Sequence, residues 1–437
     1  MTLPWIVSFL KHIYRLSMLL YAHRKSLGEE LEMLAIVMVG LPARGKTYTA
    51  RKIVRYLSWK GVKTKVFNVG TFRRKISGAN VPHTFFDPSN EEGQNARRKA
   101  AKDAMDAMLQ FFEQGGRVGV YDATNSTRKR RSWVKTTLEE KGVTVAFLEN
   151  FCTDEELIEA NIRDHKINSP DYEHATTEQA ISDFRSRIEH YHSIYETLEE
   201  SEGSWIKLVD GGKKLIVHEM HSYLETRIAT FVMNLHLRPK TLYFSRHGQS
   251  QFNVEDRVGG DSSLSPEGRL YGESLNKFVQ ENIEDLDNLK IWTSTLQRTK
   301  QTVASMNRST KEWKSLDEIN AGLCDGLTYH EISLTYPEIA SARQADKLRY
   351  RYPQGESYED VIERLEPVIF ELERSTKSVL VVAHQAILRA LYAYFANRPR
   401  HDVPYLSIPL HTVIQLTPET YGCVEMRHAL PPQLDEL

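Results

Sequence analysis

Apolar positions in this chain gather into short runs that end in glycine, a carboxylate or a histidine. The runs Leu34–Val39, Val118–Tyr121, Val143–Leu148, Leu242–Phe244 and Val379–Ala383 are four to eight residues long or close to it, the length and composition of buried strands. Lys63–Val69 reads as a further strand, followed by Gly70 and a basic turn, Phe72-Arg73-Arg74-Lys75. Helical spacing fills much of the intervening chain: Tyr48–Leu57, Glu91–Gln114, a long segment holding Arg187 and Tyr191, and Tyr223–Leu235 before the breaker Arg238-Pro239-Lys240. Strands alternating with helices predict an α/β protein, with mostly parallel sheets and ligands at their carboxyl edges.

Length and charge narrow this picture. At roughly 150 residues per domain, 437 residues predict two or three domains. The proline after the Tyr223 helix puts the main boundary between residues 237 and 238, with a separate extension over residues 1–30. A net charge of -1 supplies no overall field for nucleic acid or an anionic membrane, so anion binding must come from local clusters. Cys152, Cys324 and Cys423 are far apart in sequence, without metal-ligand spacing, as expected of a reducing, cytoplasmic setting. The first 28 residues hold no Asp or Glu, and carry Lys11, Arg15, Arg24 and Lys25 among Trp5, Phe9, Leu10, Ile13 and Leu16. They predict a basic amphipathic helix, packed on the body, lying on a membrane surface or serving as an organelle-targeting segment, and too interrupted by charge to span a bilayer.

Chemistry is concentrated where the apolar runs stop. After the first run, Gly40-Leu41-Pro42-Ala43-Arg44-Gly45-Lys46-Thr47-Tyr48 opens a helix with the spacing of a phosphate-binding loop. Its backbone N–H groups can wrap a β-phosphate, Lys46 can reach the β- and γ-phosphates, and Thr47 offers a hydroxyl to Mg²⁺. These features call for ATP and Mg²⁺. Arg73 and Arg74, at a strand end, are candidates for a phosphorylated acceptor, and Arg97-Arg98-Lys99 near a helix start suggests a bound anion. Asp122 ends another run, where it can orient a hydroxyl nucleophile, join a metal shell or cap a helix. Cys152 reads as a buried thiol at a strand end, while Arg187 and Tyr191 share a helix face and can grip one ligand or form an exposed pair. In the second half, Arg246-His247-Gly248-Gln249-Ser250 and His384 each follow a run, with Asn253 and Arg298 between them.

Gly40–Tyr48, Phe72-Arg73-Arg74, Asp122-Ala123-Thr124-Asn125 and Ser169-Pro170-Asp171-Tyr172 resemble, in this order, the kinase half of the 6-phosphofructo-2-kinase/fructose-2,6-bisphosphatase family. Arg246-His247-Gly248, Arg298 and His384 resemble the histidine phosphatases, a fold shared with phosphoglycerate mutases. The resemblance runs from about residue 31 to about residue 427. It implies an N-terminal P-loop kinase domain over residues 31–237 and a histidine phosphatase domain over residues 238–437, joined in a cytoplasmic homodimer. The first would make fructose 2,6-bisphosphate, a regulator of glycolysis and gluconeogenesis, from ATP and fructose 6-phosphate; the second would remove the 2-phosphate without a cofactor.

The resemblance assigns Lys46, Thr47, Asp122, Asn161 and Lys166 to nucleotide handling and phosphoryl transfer. It assigns Arg73 or Arg74, Arg97 or Arg98, Thr124, Arg130, Arg187 and Tyr191 to fructose 6-phosphate. In the second domain it makes neutral His247 the nucleophile, with Arg246, Arg298 and His384 holding the phosphoryl charge and Glu318 as proton donor. Asn253, Gly259, Tyr329, Arg343, Lys347, Tyr358, Gln385 and Arg389 would surround the sugar and its 6-phosphate. Gln249 stands where the family usually has Glu. Two rivals are a polynucleotide kinase-phosphatase, disfavoured by the near-neutral charge, and a scaffold with one silent site, disfavoured by the full residue sets in both halves.

Overall fold

Two six-stranded sheets carry the chain in this computed structural model, which describes residues 32–163, 171–172, 176–236, 240–419 and 422–432. The expected N-terminal helix, Lys166 and the break at Arg238-Pro239 lie outside the described residues.

The first sheet uses β1 (Leu34–Val39), β2 (Thr64–Asn68), β3 (Val118–Asp122), β4 (Thr144–Phe151), β5 (Trp205–Val209) and β6 (Lys214–His218), in the order β2-β3-β1-β4-β5-β6. All neighbours are parallel except β5 and β6. β1 and β3 are buried along their whole length, as solid apolar runs require of central parallel strands. Their register, Val37 beside Tyr121, sets the glycine loop next to Asp122 at one sheet edge. The helix Lys46–Trp59 starts from Gly45 in the left-handed region (φ 79°), with no side-chain cap on its first N–H groups. Gly40 admits no side chain, because a Cβ would stand 2.5 Å from the Asn150 carbonyl oxygen.

One local expectation is corrected: the residues read as a basic turn form the helix Val69–Ser77. Asn68, the last residue of β2, accepts a hydrogen bond from the Thr71 N–H and caps it. That cap and the helix-forming Arg73, Arg74 and Lys75 outweigh the single Gly70.

The second sheet holds β7 (Leu242–Arg246), β8 (Lys290–Thr293), β9 (Thr310–Glu312), β10 (Val379–Ala383), β11 (Thr412–Pro418) and β12 (Cys423–Ala429), in the order β12-β11-β7-β10-β8-β9. β7, β10, β8 and β9 run parallel, while β11 and β12 are antiparallel additions. Ala383 pairs with Arg246, so His247 and His384 leave adjacent strand ends together. The sequence pattern did not single out β5, β6, β8, β9, β11 or β12. β6, β9 and β12 are edge strands with exposed or half-exposed residues and no apolar run to mark them.

The two sheets share one apolar core. Ile53, Tyr56, Leu57 and Trp59 of the Lys46–Trp59 helix belong to the same buried cluster as Leu388, Leu391 and Phe395 of the helix Gln385–Phe395. Tyr56 stacks on Phe231 at 4.3 Å, and the Trp59 indole N–H donates to the Ala390 carbonyl at 2.9 Å. Each such fully buried side chain contributes about 1.5–3 kcal/mol from area alone.

Candidate active sites

At the end of β1 the chain turns back over its own sheet, with Ala43 (φ 59°) and Gly45 both at positive φ. Arg44 braces this loop, donating from Nε to the Cys152 carbonyl at 3.0 Å and from a terminal nitrogen to the Pro42 carbonyl at 3.2 Å. Lys46 Nζ donates to the Leu41 carbonyl at 2.6 Å, so its ammonium curls over the loop whose phosphate it would meet. Thr47 Oγ1 donates to Asp122 Oδ2 at 2.8 Å, and Asn68 Nδ2 donates to the same oxygen at 2.5 Å. A hydroxyl and a carboxylate this close are two hard oxygen donors beside a phosphate loop, which fits Mg²⁺, an ion that keeps several waters and takes phosphate oxygens. Asn161 Nδ2 donates to the Ala43 carbonyl at 3.1 Å and steadies the loop from the far side.

The loop opens into a cavity of about 1210 Å³ whose lining includes Tyr48, Asp122, Thr124 and Asn161. Arg73, Arg74, Arg97, Arg98, Arg130, Arg187 and Tyr191 line it as well, so the fold gathers the expected acceptor residues in one place. They differ in freedom. Arg73 is buried, donating to both Asp171 oxygens at 2.8 and 2.7 Å and to the Gly78 carbonyl. Arg74 lies 3.5 Å from Asp171 and Arg187 3.6 Å, so one carboxylate collects three guanidiniums. The Arg187 guanidinium carbon also stands over the Phe86 ring, 3.7 Å from its centroid. Arg97 turns back to the carbonyls of Gly93, Phe86 and Asp87, whereas exposed Arg98 pairs within its own helix with Gln94. Arg130 donates to the Tyr121 hydroxyl at 2.9 Å, and burial lowers its pKa. Cys152 is buried, and burial raises its thiol above the usual range.

The second constellation stands at the carboxyl edge of the other sheet. His247 is buried and donates from Nδ1 to the Gly248 carbonyl at 2.7 Å, which leaves Nε2 with a free lone pair. His384 is fully buried; its Nδ1 accepts from Arg298 Nε at 3.2 Å and its Nε2 meets the Ser294 hydroxyl at 2.8 Å. The two imidazole centroids are 5.1 Å apart. Burial, then the charges of Arg298 and Arg246, hold His247 well below its ordinary pKa; burial and Arg298 do the same for His384. Both rings are therefore neutral at pH 7, the state a nitrogen nucleophile needs. Burial lowers Arg246 to about 10, still a full cation.

Glu318 Oε1 accepts from the Ala386 N–H at 3.2 Å, which fixes the carboxyl beside His384 and Gln385. Arg364 secures this loop by donating to the carbonyls of Ser315, Asp317 and Glu318. Gln249 accepts from the Ser265 hydroxyl at 2.7 Å and acts as a brace. Glycine is required at 248, where a Cβ would lie 2.3 Å from the Gly268 carbonyl oxygen.

Farther out, Arg389 donates to the Tyr358 hydroxyl at 3.1 Å and to the Leu406 carbonyl at 2.7 Å. Arg343 lies over the Tyr329 ring at 5.0 Å, and Lys347 donates to the Pro404 carbonyl. Burial, then Arg343 and Arg389, lower Lys347 to about 8, a concentration of positive charge suited to an anion. Gly259 (φ 73°) leads into Gly260, whose carbonyl accepts from Arg298, whereas the Asn253 side chain closes a capping box with Ser250.

Sequence reasoning missed Asn68 on Asp122, Ser294 on His384, Asp171 as the arginine hub, and Thr417–Glu419, which line the first cavity from the other domain.

Comparison with known proteins is consistent with these geometries. Residues 24–239 match the family described as 6-phosphofructo-2-kinase, and residues 242–430 match the histidine phosphatase superfamily, branch 1. A relative from Arabidopsis thaliana named 6-phosphofructo-2-kinase/fructose-2,6-bisphosphatase is 49% identical over 403 residues, covering 91% of this chain; the chain spans 54% of that relative's length. A Homo sapiens relative, 6-phosphofructo-2-kinase/fructose-2,6-bisphosphatase 4, is 46% identical over 89% of this chain and 83% of its own. A Saccharomyces cerevisiae relative named fructose-2,6-bisphosphatase is 48% identical over 89% and 86%.

Proposed function

The chain belongs to the 6-phosphofructo-2-kinase/fructose-2,6-bisphosphatase family, and on that premise we propose that both of its sites turn over, on the same phosphate. In the kinase half, ATP phosphorylates the 2-hydroxyl of fructose 6-phosphate. The loop amides and Lys46 bind the β- and γ-phosphates, and Asp122 orients the attacking hydroxyl or would help Thr47 hold Mg²⁺. Mg²⁺, when bound, neutralises developing charge on the phosphate oxygens. Arg74, Arg187 and Tyr191 face the sugar phosphate, while Arg73 and Asp171 hold the platform on which they stand.

In the phosphatase half, His247 Nε2 attacks the 2-phosphorus of fructose 2,6-bisphosphate and becomes a phosphohistidine. Arg246 and Arg298 stabilise the spreading charge, His384 keeps Arg298 aimed, and Glu318 protonates the departing sugar oxygen. Water then releases inorganic phosphate. Lys347, Arg343 and Arg389 supply the cationic ring for the 6-phosphate.

The observation that carries this reading is the presence in one chain of two devices: Thr47 bonded to Asp122 at a phosphate loop, and His247 beside His384 between arginines. The yeast relative named for the phosphatase alone raises the alternative of a silent kinase half. Purified protein is assayed with ATP plus fructose 6-phosphate, and separately with fructose 2,6-bisphosphate. Turnover in both directions supports the proposal; a kinase rate at background with an active phosphatase supports the alternative. A cytoplasmic setting and a homodimeric state are part of the same proposal.

A further inference from the structure

The helix that begins with Lys46 and Thr47 is anchored in the other domain. Lys52 Nζ lies 2.7 and 3.0 Å from the Glu373 oxygens, with side chains 3% and 0% exposed. Tyr394 donates its hydroxyl to Glu373 at 2.7 Å, and Lys240 stands 3.8 Å away while donating to the carbonyls of Leu372 and Glu373. The rings of Tyr48 and Phe395 flank the Lys52 ammonium at 5.5 and 5.9 Å. A second contact just past the end of the same helix, Lys60 with Glu363, is different in kind, since Glu363 is 58% exposed and its charge stays solvated.

Burial opposes ionisation of Glu373, but the Lys52 and Lys240 ammoniums outweigh it and hold the carboxyl down to about 2. An ion pair buried this completely has no water to replace either member, so removal of one charge strands the other. Lys52 is six residues beyond Lys46, about 9 Å along the helix. Tyr48, which touches the ammonium, also lines the kinase cavity. Among the anchors of this helix, which include Tyr56 on Phe231 and Trp59 on Ala390, the Lys52 socket is the charged and fully buried one that also touches a residue lining the kinase cavity.

We propose that Glu373, a residue of the phosphatase domain, is a positioning residue for the kinase reaction: its carboxylate seats Lys52 and so sets the helix that carries the phosphate-binding loop. The proposal depends on reading that loop as the ATP site. It makes the phosphatase domain a working part of the kinase, with no matching dependence in the other direction. Glu373 and Lys240 precede β10 and β7, whereas His384 and His247 follow them. The socket and the phosphatase site are therefore at opposite sheet edges, about 16 Å apart at five residues per strand.

The test uses the full-length protein with Glu373→Gln, Lys52→Met and the pair combined. In Glu373→Gln, kcat/KM for ATP falls about 10–100-fold, chiefly through KM. Fructose 2,6-bisphosphate hydrolysis stays within about twofold of the parent, which also shows that the chain is folded. The double variant recovers to within about threefold of the parent, because the Lys52 charge is no longer stranded and Lys240 keeps its two carbonyl acceptors. Rescue by a second substitution is something a general loss of packing does not give. The proposal is overturned if Glu373→Gln leaves kcat/KM for ATP unchanged, if both activities fall together, or if the double variant is no better than the single. A parent protein with no kinase turnover would instead refute the ATP-site reading on which the proposal depends.

Discussion

Asp171→Asn removes one negative charge from beneath three guanidiniums while keeping the shape of the side chain. Asp171 accepts two hydrogen bonds from Arg73, whose side chain is 4% exposed, and stands 3.5 Å from Arg74 and 3.6 Å from Arg187. Burial alone would raise its carboxyl, but the Arg73 hydrogen bonds and the arginine charges prevail and hold it below the usual range. A carboxyl depressed in the folded state stabilises the fold above its unfolded pKa, and that contribution is lost as pH falls through the folded value, so at pH 7 it is fully present. Stranding a buried charge costs about 3–5 kcal/mol. Asn still accepts one hydrogen bond and Arg73 keeps the Gly78 carbonyl, which brings the expected loss to about 2–4 kcal/mol.

Against a domain stability of about 5–15 kcal/mol, the variant folds. Urea unfolding measures the loss as a lower midpoint at unchanged slope. Arg74 and Arg187 lose their common anchor, so KM for fructose 6-phosphate rises about tenfold while KM for ATP holds. A stability change under about 0.5 kcal/mol together with an unchanged KM for fructose 6-phosphate would refute the reasoning.

Other outcomes follow from the same geometry. Gly248→Ala forces a Cβ against the Gly268 carbonyl, where the three nearest atoms are all backbone; phosphate release should drop at least about tenfold with kinase rate retained, and equal loss of both would contradict this. His247 and His384 have folded pKa values well below 6.5, so below pH 6.5 the unfolded chain binds more protons and stability falls with pH towards the folded values. Replacing His384 with Gln should reduce the fall of the urea midpoint between pH 7.5 and pH 5.5, His247 supplying the remainder, and parallel profiles would exclude the effect. Chelation of Mg²⁺ with EDTA should stop the kinase and spare the phosphatase, since Arg246 and Arg298, the latter aimed by His384, already supply the charge the second site needs.

The parts of this molecule legible in its sequence are those whose signal is local. Buried parallel strands such as Leu34–Val39 and Val379–Ala383 carry unbroken apolar runs, and the glycine loop and Arg246-His247-Gly248 follow such runs directly. Exposed edges carry no such signal: β9, with every residue exposed, has neither a run nor an alternation to mark it. The helix Val69–Ser77 was hidden because Gly70 is a breaker and the cap that compensates for it, Asn68, is also the last residue of a strand. Pairings made by folding leave no trace at all. Ser294 meets His384 across 90 positions, and Lys52 meets Glu373 across 321. Among the arginines that line the cavity, only the structure separates Arg73, buried on Asp171, from Arg74, whose side chain is 29% exposed.

The central claim is that Lys46 and His247 serve opposite reactions on one phosphate from independent sites. Lys46→Ala and His247→Ala are each assayed for fructose 2,6-bisphosphate synthesis and for its hydrolysis, in protein shown to be folded. The account predicts that Lys46→Ala abolishes synthesis and leaves hydrolysis intact, and that His247→Ala does the reverse and no longer takes label from fructose 2-[³²P],6-bisphosphate. Loss of both activities in either folded variant, or label retained on the chain without His247, would contradict it.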